Sequence, residues 1–125
     1  MIRTAFEKDS NSEQAELFLL VKDYIKACIG NGVKEKFNKN TTSFYIKEGG
    51  VCSIKVKDDF IYVNWFQGAY LNDKFNLLKG KGNLSKNQKI YNLDIKMRET
   101  IRYYIKESFI RLVELDELKK IRKTI

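Results

Sequence analysis

Four lysines, Lys79, Lys81, Lys86 and Lys89, crowd around Gly80 and Gly82 in this 125-residue chain. Ammonium groups beside flexible glycine backbone can meet a phosphate with both charge and N–H donors. The spacing is not that of a Walker A loop, because no Lys-Ser or Lys-Thr follows the second glycine. Tyr62, Trp65, Phe66 and Tyr70 precede the lysines, and aromatic rings beside a basic surface offer base stacking. The same rings suit core packing, since they fall in or just after the most apolar stretch of the chain. Asp73 follows a Gly68-Ala69-Tyr70-Leu71 segment and suits a polar role near a pocket or an N-cap for the next turn. The ligand-binding candidates are Trp65, Gly68, Tyr70, Asp73, Lys79, Gly80, Lys81, Gly82, Lys86 and Lys89.

The chain has no histidine, which removes imidazole-activated nucleophiles and HExxH zinc sites. No paired carboxylates are spaced so that one must hold its proton, so a binding module is expected rather than an enzyme. Twenty-four Lys and Arg against 16 Asp and Glu give a net charge of +8. Residues 31–93 hold 11 basic and 5 acidic side chains, so most of the excess lies in the middle of the chain. An anionic partner fits that balance. Two cysteines make no disulfide scaffold, and both suit small core positions. The N-terminal stretch is polar and the longest apolar run is Leu17 to Val21, so a cytoplasmic protein without membrane segments is expected.

These residues need elements to position them. Leu17, Leu20, Val21, Tyr24, Ile25, Cys28 and Ile29 recur at helical spacing, with Phe18 and Leu19 widening the stripe. Ser10 and Glu13 fit a capping box at the start of that helix, and Gly30-Asn31-Gly32 fits its stop. Beyond Gly32 the period becomes 2. Strands are expected at 41–46, 52–57 and 60–66, turning at Glu48-Gly49-Gly50 and at Asp58-Asp59, with an outer strand at 33–37. The run from Phe60 to Phe66 is apolar on both faces, which predicts a central strand covered twice or one with a face lining a pocket. Residues 67–78 read as a connection with a short helical turn, and 89–93 as one more strand. Asp94 is an N-cap for a last helix carrying Met97, Ile101, Tyr104, Ile105 and Leu112 on one face. A bend is expected near 113–116, because about 30 residues is long for one helix in a domain this size. The fold class is α+β, an antiparallel meander packed against N-terminal and C-terminal helices. Residues 1–125 make one domain, with a core over about 13–112 and a basic helical segment over 113–125.

Several landmarks stand in a familiar order: Phe66-Gln67-Gly68-Ala69-Tyr70-Leu71-Asn72-Asp73, then Leu77-Leu78-Lys79-Gly80-Lys81-Gly82. This resembles the YdhG-like family of small bacterial domains, most of unknown function, marked by F-x-G-A-x-L-x-D and L-L-x-G-x-G segments. The resemblance runs over roughly 13–112 and implies the same α+β architecture. Some members are described as frataxin-like iron chaperones, so it also implies intracellular iron handling, with iron as the bound metal. Without histidine, iron needs carboxylates. Glu13 and Glu16, three apart on one helix face, are the metal candidates. A phosphate-bearing small ligand or a nucleic acid held by segment 79–89 is the alternative. A protein-interaction or homodimer module is a third.

Overall fold

The computed structural model describes residues 4–10, 13–39 and 41–124. Ala5–Ser10 forms a short helix, α1, and Ala15–Ile29 forms α2. Strands β1 (Lys34–Phe37), β2 (Thr42–Ile46), β3 (Gly49–Val56) and β4 (Ile61–Trp65) follow. A single 3-10 turn at Gly68–Tyr70 leads towards β5 (Lys86–Ile90), and α3 spans Ile95–Thr124. The five strands lie side by side in chain order with every neighbouring pair antiparallel. This is the α+β meander with N-terminal and C-terminal helices that the hydrophobic periods predict.

Register decides what each face of the sheet carries, because residues paired across strands share a face. Cys52 pairs with Trp65, Ile54 with Val63 and Val56 with Ile61, and Ile61 pairs in turn with Ile90. That face is the core. Phe18, Val21 and Ile25 of α2 and Ile101, Tyr104, Ile105 and Leu112 of α3 are buried with it in one cluster. The register shifts between Phe44 and Tyr45, which pair with Cys52 and Gly50 and leave Val51 as an extra residue. Such a bulge lets neighbours in the chain point the same way, and Val51 and Cys52 are both fully buried. Gly50 is needed here, since a Cβ would sit 2.5 Å from the Phe66 ring.

Both helices lie on one side, and a polar network ties that side together. The Trp65 indole N–H donates to Gln88 Oε1 (3.0 Å), and Gln88 Nε2 donates to Thr100 Oγ1 (2.8 Å). Gln88, Trp65 and Thr100 are all buried, so β4, β5 and α3 are joined by hydrogen bonds that water cannot replace.

Four expectations need correction. Helix α2 begins at Ala15 with Gln14 at its N-cap and no side-chain cap, so the Ser10–Glu13 box does not start it. Leu20 is 48% exposed, because the buried stripe runs through Phe18, Val21 and Ile25 instead. The last strand is Lys86–Ile90 rather than 89–93; its pairing with β4 puts Gln88 into the core, which a hydrophobicity pattern does not reveal. Helix α3 runs unbroken through 113–116, since the chain from Ile95 to Thr124 contains neither Gly nor Pro to interrupt it. Asp94 does cap it: its Oδ1 accepts from Met97 N–H at 2.8 Å. Among the described residues, no helix is long and apolar enough to cross a membrane.

Candidate functional site

With the helices on one face, the other face of the sheet is left open. Its residues follow from the same register. One row crosses all five strands: Lys36 pairs with Ser43, Ser43 with Ser53, Ser53 with Asn64 and Asn64 with Asn87. A second row is Lys55, Tyr62 and Lys89. Tyr45, which pairs with Lys34, lies on the same side. Five strands at the usual spacing make a surface about 19 Å wide.

The face is concave. A cavity of about 560 Å³ lies over it, lined by Asn38, Thr41, Ser43, Tyr45, Ser53, Lys55, Lys57, Tyr62, Asn64, Phe66 and Asn87. Ser43 and Ser53 form its floor, 3% and 4% exposed, while lysines and rings make the walls. Asn64 Nδ2 donates to Asn87 Oδ1 at 2.7 Å, which orients both amides. Lys36 Nζ lies 4.7 Å from the centre of the Tyr45 ring, and Lys89 Nζ lies 5.0 Å from that of Phe60. Among the described residues no carboxylate lines the cavity, and Lys36, Lys55, Lys57 and Lys89 form no salt bridge. A cluster of unneutralised cations with hydroxyl and amide donors between them is suited to an anion.

Several of the residues singled out by sequence meet around Lys86, which pairs with Trp65, packs on Gly68 and bonds the Gly80 carbonyl, but they do not converge on the open face. Trp65 is fully buried on the helix side and held by Gln88, so it takes no part in the open face. Gly68 serves packing: a Cβ there would lie 2.6 Å from Lys86 Cβ and 2.7 Å from Lys86 N. Tyr70 is exposed, with the Arg111 guanidinium 4.1 Å from its ring centre. Asp73 is a latch for its own loop. Its Oδ1 accepts from Leu77 N–H (3.0 Å) and Oδ2 from Leu78 N–H (3.2 Å), and Oδ1 also accepts from the Tyr104 hydroxyl. Burial, helped by the Asp73 carboxylate, pushes the Tyr104 phenol well above its ordinary range.

The lysine segment does not form a cradle. Lys86 Nζ donates to the Gly80 carbonyl (2.8 Å), Lys79 Nζ reaches Asn76 Oδ1 (3.4 Å), and Lys81 and Gly82 are exposed. Only Lys89, on the second row, belongs to the open face. Glu13 and Glu16 are exposed, and Glu13 borders a cleft whose lining also holds Asp9 and Asp58 together with Lys8 and Lys57. Among the described residues, no three His, Cys, Asp or Glu side chains group to hold a metal.

Sequence reading missed the row of Lys36, Ser43, Ser53 and Asn64, because its members lie on four strands and meet only through register. The available signal was the alternation of Ser53, Lys55 and Lys57 with Cys52, Ile54 and Val56. No protein-family model, curated protein or solved structure matches the chain.

Proposed function

We propose that this protein is a binding module for phosphate-bearing ligands, and that single-stranded nucleic acid is the ligand it takes on the open face of the sheet. The observation that carries this is a polar, ring-walled cavity lined by Lys55 and Lys57 and, among the described residues, by no carboxylate, on a sheet face that also carries Lys36 and Lys89. Lysines track phosphates as point charges, and Tyr62 and Phe66 offer flat faces to bases. The serine and asparagine row supplies donors and acceptors between them. The reading departs from the lysine-glycine segment, where Lys79 and Lys86 are engaged by the loop itself, and keeps the anion chemistry. It is preferred to the iron handling that the YdhG-like resemblance implies because the basic face is a built feature, whereas Glu13 and Glu16 have no third ligand grouped with them among the described residues.

Fluorescence anisotropy with a labelled 12-nucleotide single strand tests it. Binding should weaken steeply with salt, and each lysine changed to glutamine should flatten the log–log slope by about 0.7. Lys36→Gln/Lys55→Gln should lose affinity while a duplex of the same sequence binds less well than the single strand. Undetectable binding at low salt, or an affinity unchanged in the double variant, overturns the reading. Competition by a mononucleotide at equal phosphate concentration would assign the cavity to a small ligand instead.

A further inference from the structure

The opposite side of the molecule carries a second concavity that owes nothing to the sheet. Between α2 and α3 lies a groove of about 470 Å³, with Ala27, Cys28, Ile105 and Phe109 among the residues that line it. Ala27, exposed on α2, and the partly buried Cys28 line it from one helix, and the buried Ile105 and half-buried Phe109 line it from α3. Its volume is within the range of small-molecule sites, roughly 300–1,000 Å³.

Charge is what gives the groove a direction. Arg102 and Lys106 line it, and Arg98 continues the same row one turn earlier, at i, i+4 and i+8 along α3. Among the described residues none of the three forms a salt bridge. Arg98 is held over the Tyr24 ring, 5.9 Å from its centre, and the Tyr24 hydroxyl donates to the Arg98 carbonyl at 3.0 Å. This fixes the wall between α2 and the start of the cationic row. Glu99 borders the adjoining depression with Tyr24, Ile95, Arg98 and Arg102, forms no salt bridge with either arginine, and does not line the groove. The result is an apolar trough with cations along one wall and no carboxylate in its lining.

We propose that this groove binds a single-chain amphiphilic anion, an aliphatic chain with one carboxylate head, the chain lying along Ala27, Ile105 and Phe109 and the head paired with Arg102 and Lys106. An apolar body gains from burial in the trough at roughly 25 cal/mol per Å². The head selects the cationic wall and fixes polarity. A neutral or cationic amphiphile of equal length has the first interaction and lacks the second.

Cys28 supplies the readout, since it is partly exposed in the groove whereas Cys52 is fully buried in the core. In the folded chain an aromatic disulfide reagent should modify one thiol. Decanoate, added below its micelle threshold, should slow that modification about fivefold when present at about four times its Kd. Decanol and decyltrimethylammonium should protect far less, and Arg102→Gln/Lys106→Gln should abolish the difference between decanoate and decanol. Reaction of both thiols would report that the variant has unfolded. In that case amide shift perturbation of the unaltered chain by decanoate decides, with Ala27, Ile105 and Phe109 expected to move and decanol expected to leave them in place. Absence of protection by decanoate, equal protection by decanol, or perturbation confined to the sheet would each overturn the proposal.

Discussion

At the scale of single residues, the most informative side chains are polar groups turned inward. Asp73 satisfies two backbone N–H groups and the Tyr104 hydroxyl, so Asp73→Ala strands three donors and should cost about 2–4 kcal/mol in denaturant unfolding. Asp73→Asn keeps an acceptor and should cost less. Gly68→Ala drives a methyl into the backbone of β5 and should cost about 1–3 kcal/mol, although alanine is ordinarily a mild change. Burial raises the Cys52 thiol above its ordinary value of 9.0, and burial with Asp73 raises the Tyr104 phenol above 10.0. Both groups stay neutral in the folded chain while their unfolded counterparts lose protons. Their contribution is therefore whole below about pH 9 and is lost as pH rises from the unfolded towards the folded values. Melting temperature should hold level to about pH 9 and then fall, and Cys52→Val should flatten the first part of that fall.

At the scale of elements, the sequence was most legible where apolar residues repeat. Helix α2, strands β2 to β4, the Asp94 cap and the starting face of α3 all follow from period and turn chemistry. What escaped was set by pairing between elements: Gln88 enters the core because β5 registers on β4, and the open-face row appears only once five strands are aligned. Of the candidate ligand residues from 65 to 86, Trp65, Gly68, Gly80 and Lys86 do come together in the fold, but they do so in packing and loop bonding, with Trp65 buried and Lys81 exposed in a loop. Helix α3 is the other lesson, about 45 Å long at 1.5 Å per residue, with Leu112 its last buried side chain among the described residues. Proline is a sharp probe of that division. Ser108→Pro, at a fully buried position, should abolish cooperative folding, whereas Glu117→Pro should lower the melting temperature by only a few degrees.

At the scale of the whole molecule, the helices divide the protein into a closed side and an open one. Lysines that look scattered in sequence are gathered on the open side by strand alternation. The charge reversal Lys55→Glu should weaken single-strand binding without changing unfolding, since this side chain is exposed and its removal from the surface field costs the core nothing. A melt and an anisotropy titration on the same sample separate the two effects. The meander has a further consequence, for the order in which the chain assembles. Every strand pairs only with its neighbour in sequence, so hairpins can zip in turn as the ribosome releases them. The apolar face of those hairpins, with Ile54, Val63 and Trp65, lacks the Ile101, Tyr104, Ile105 and Leu112 side of its cover until α3 emerges. A nascent chain paused before Ile95 would therefore present a sticky half-covered sheet, and this is the stage at which a holdase has most to grip.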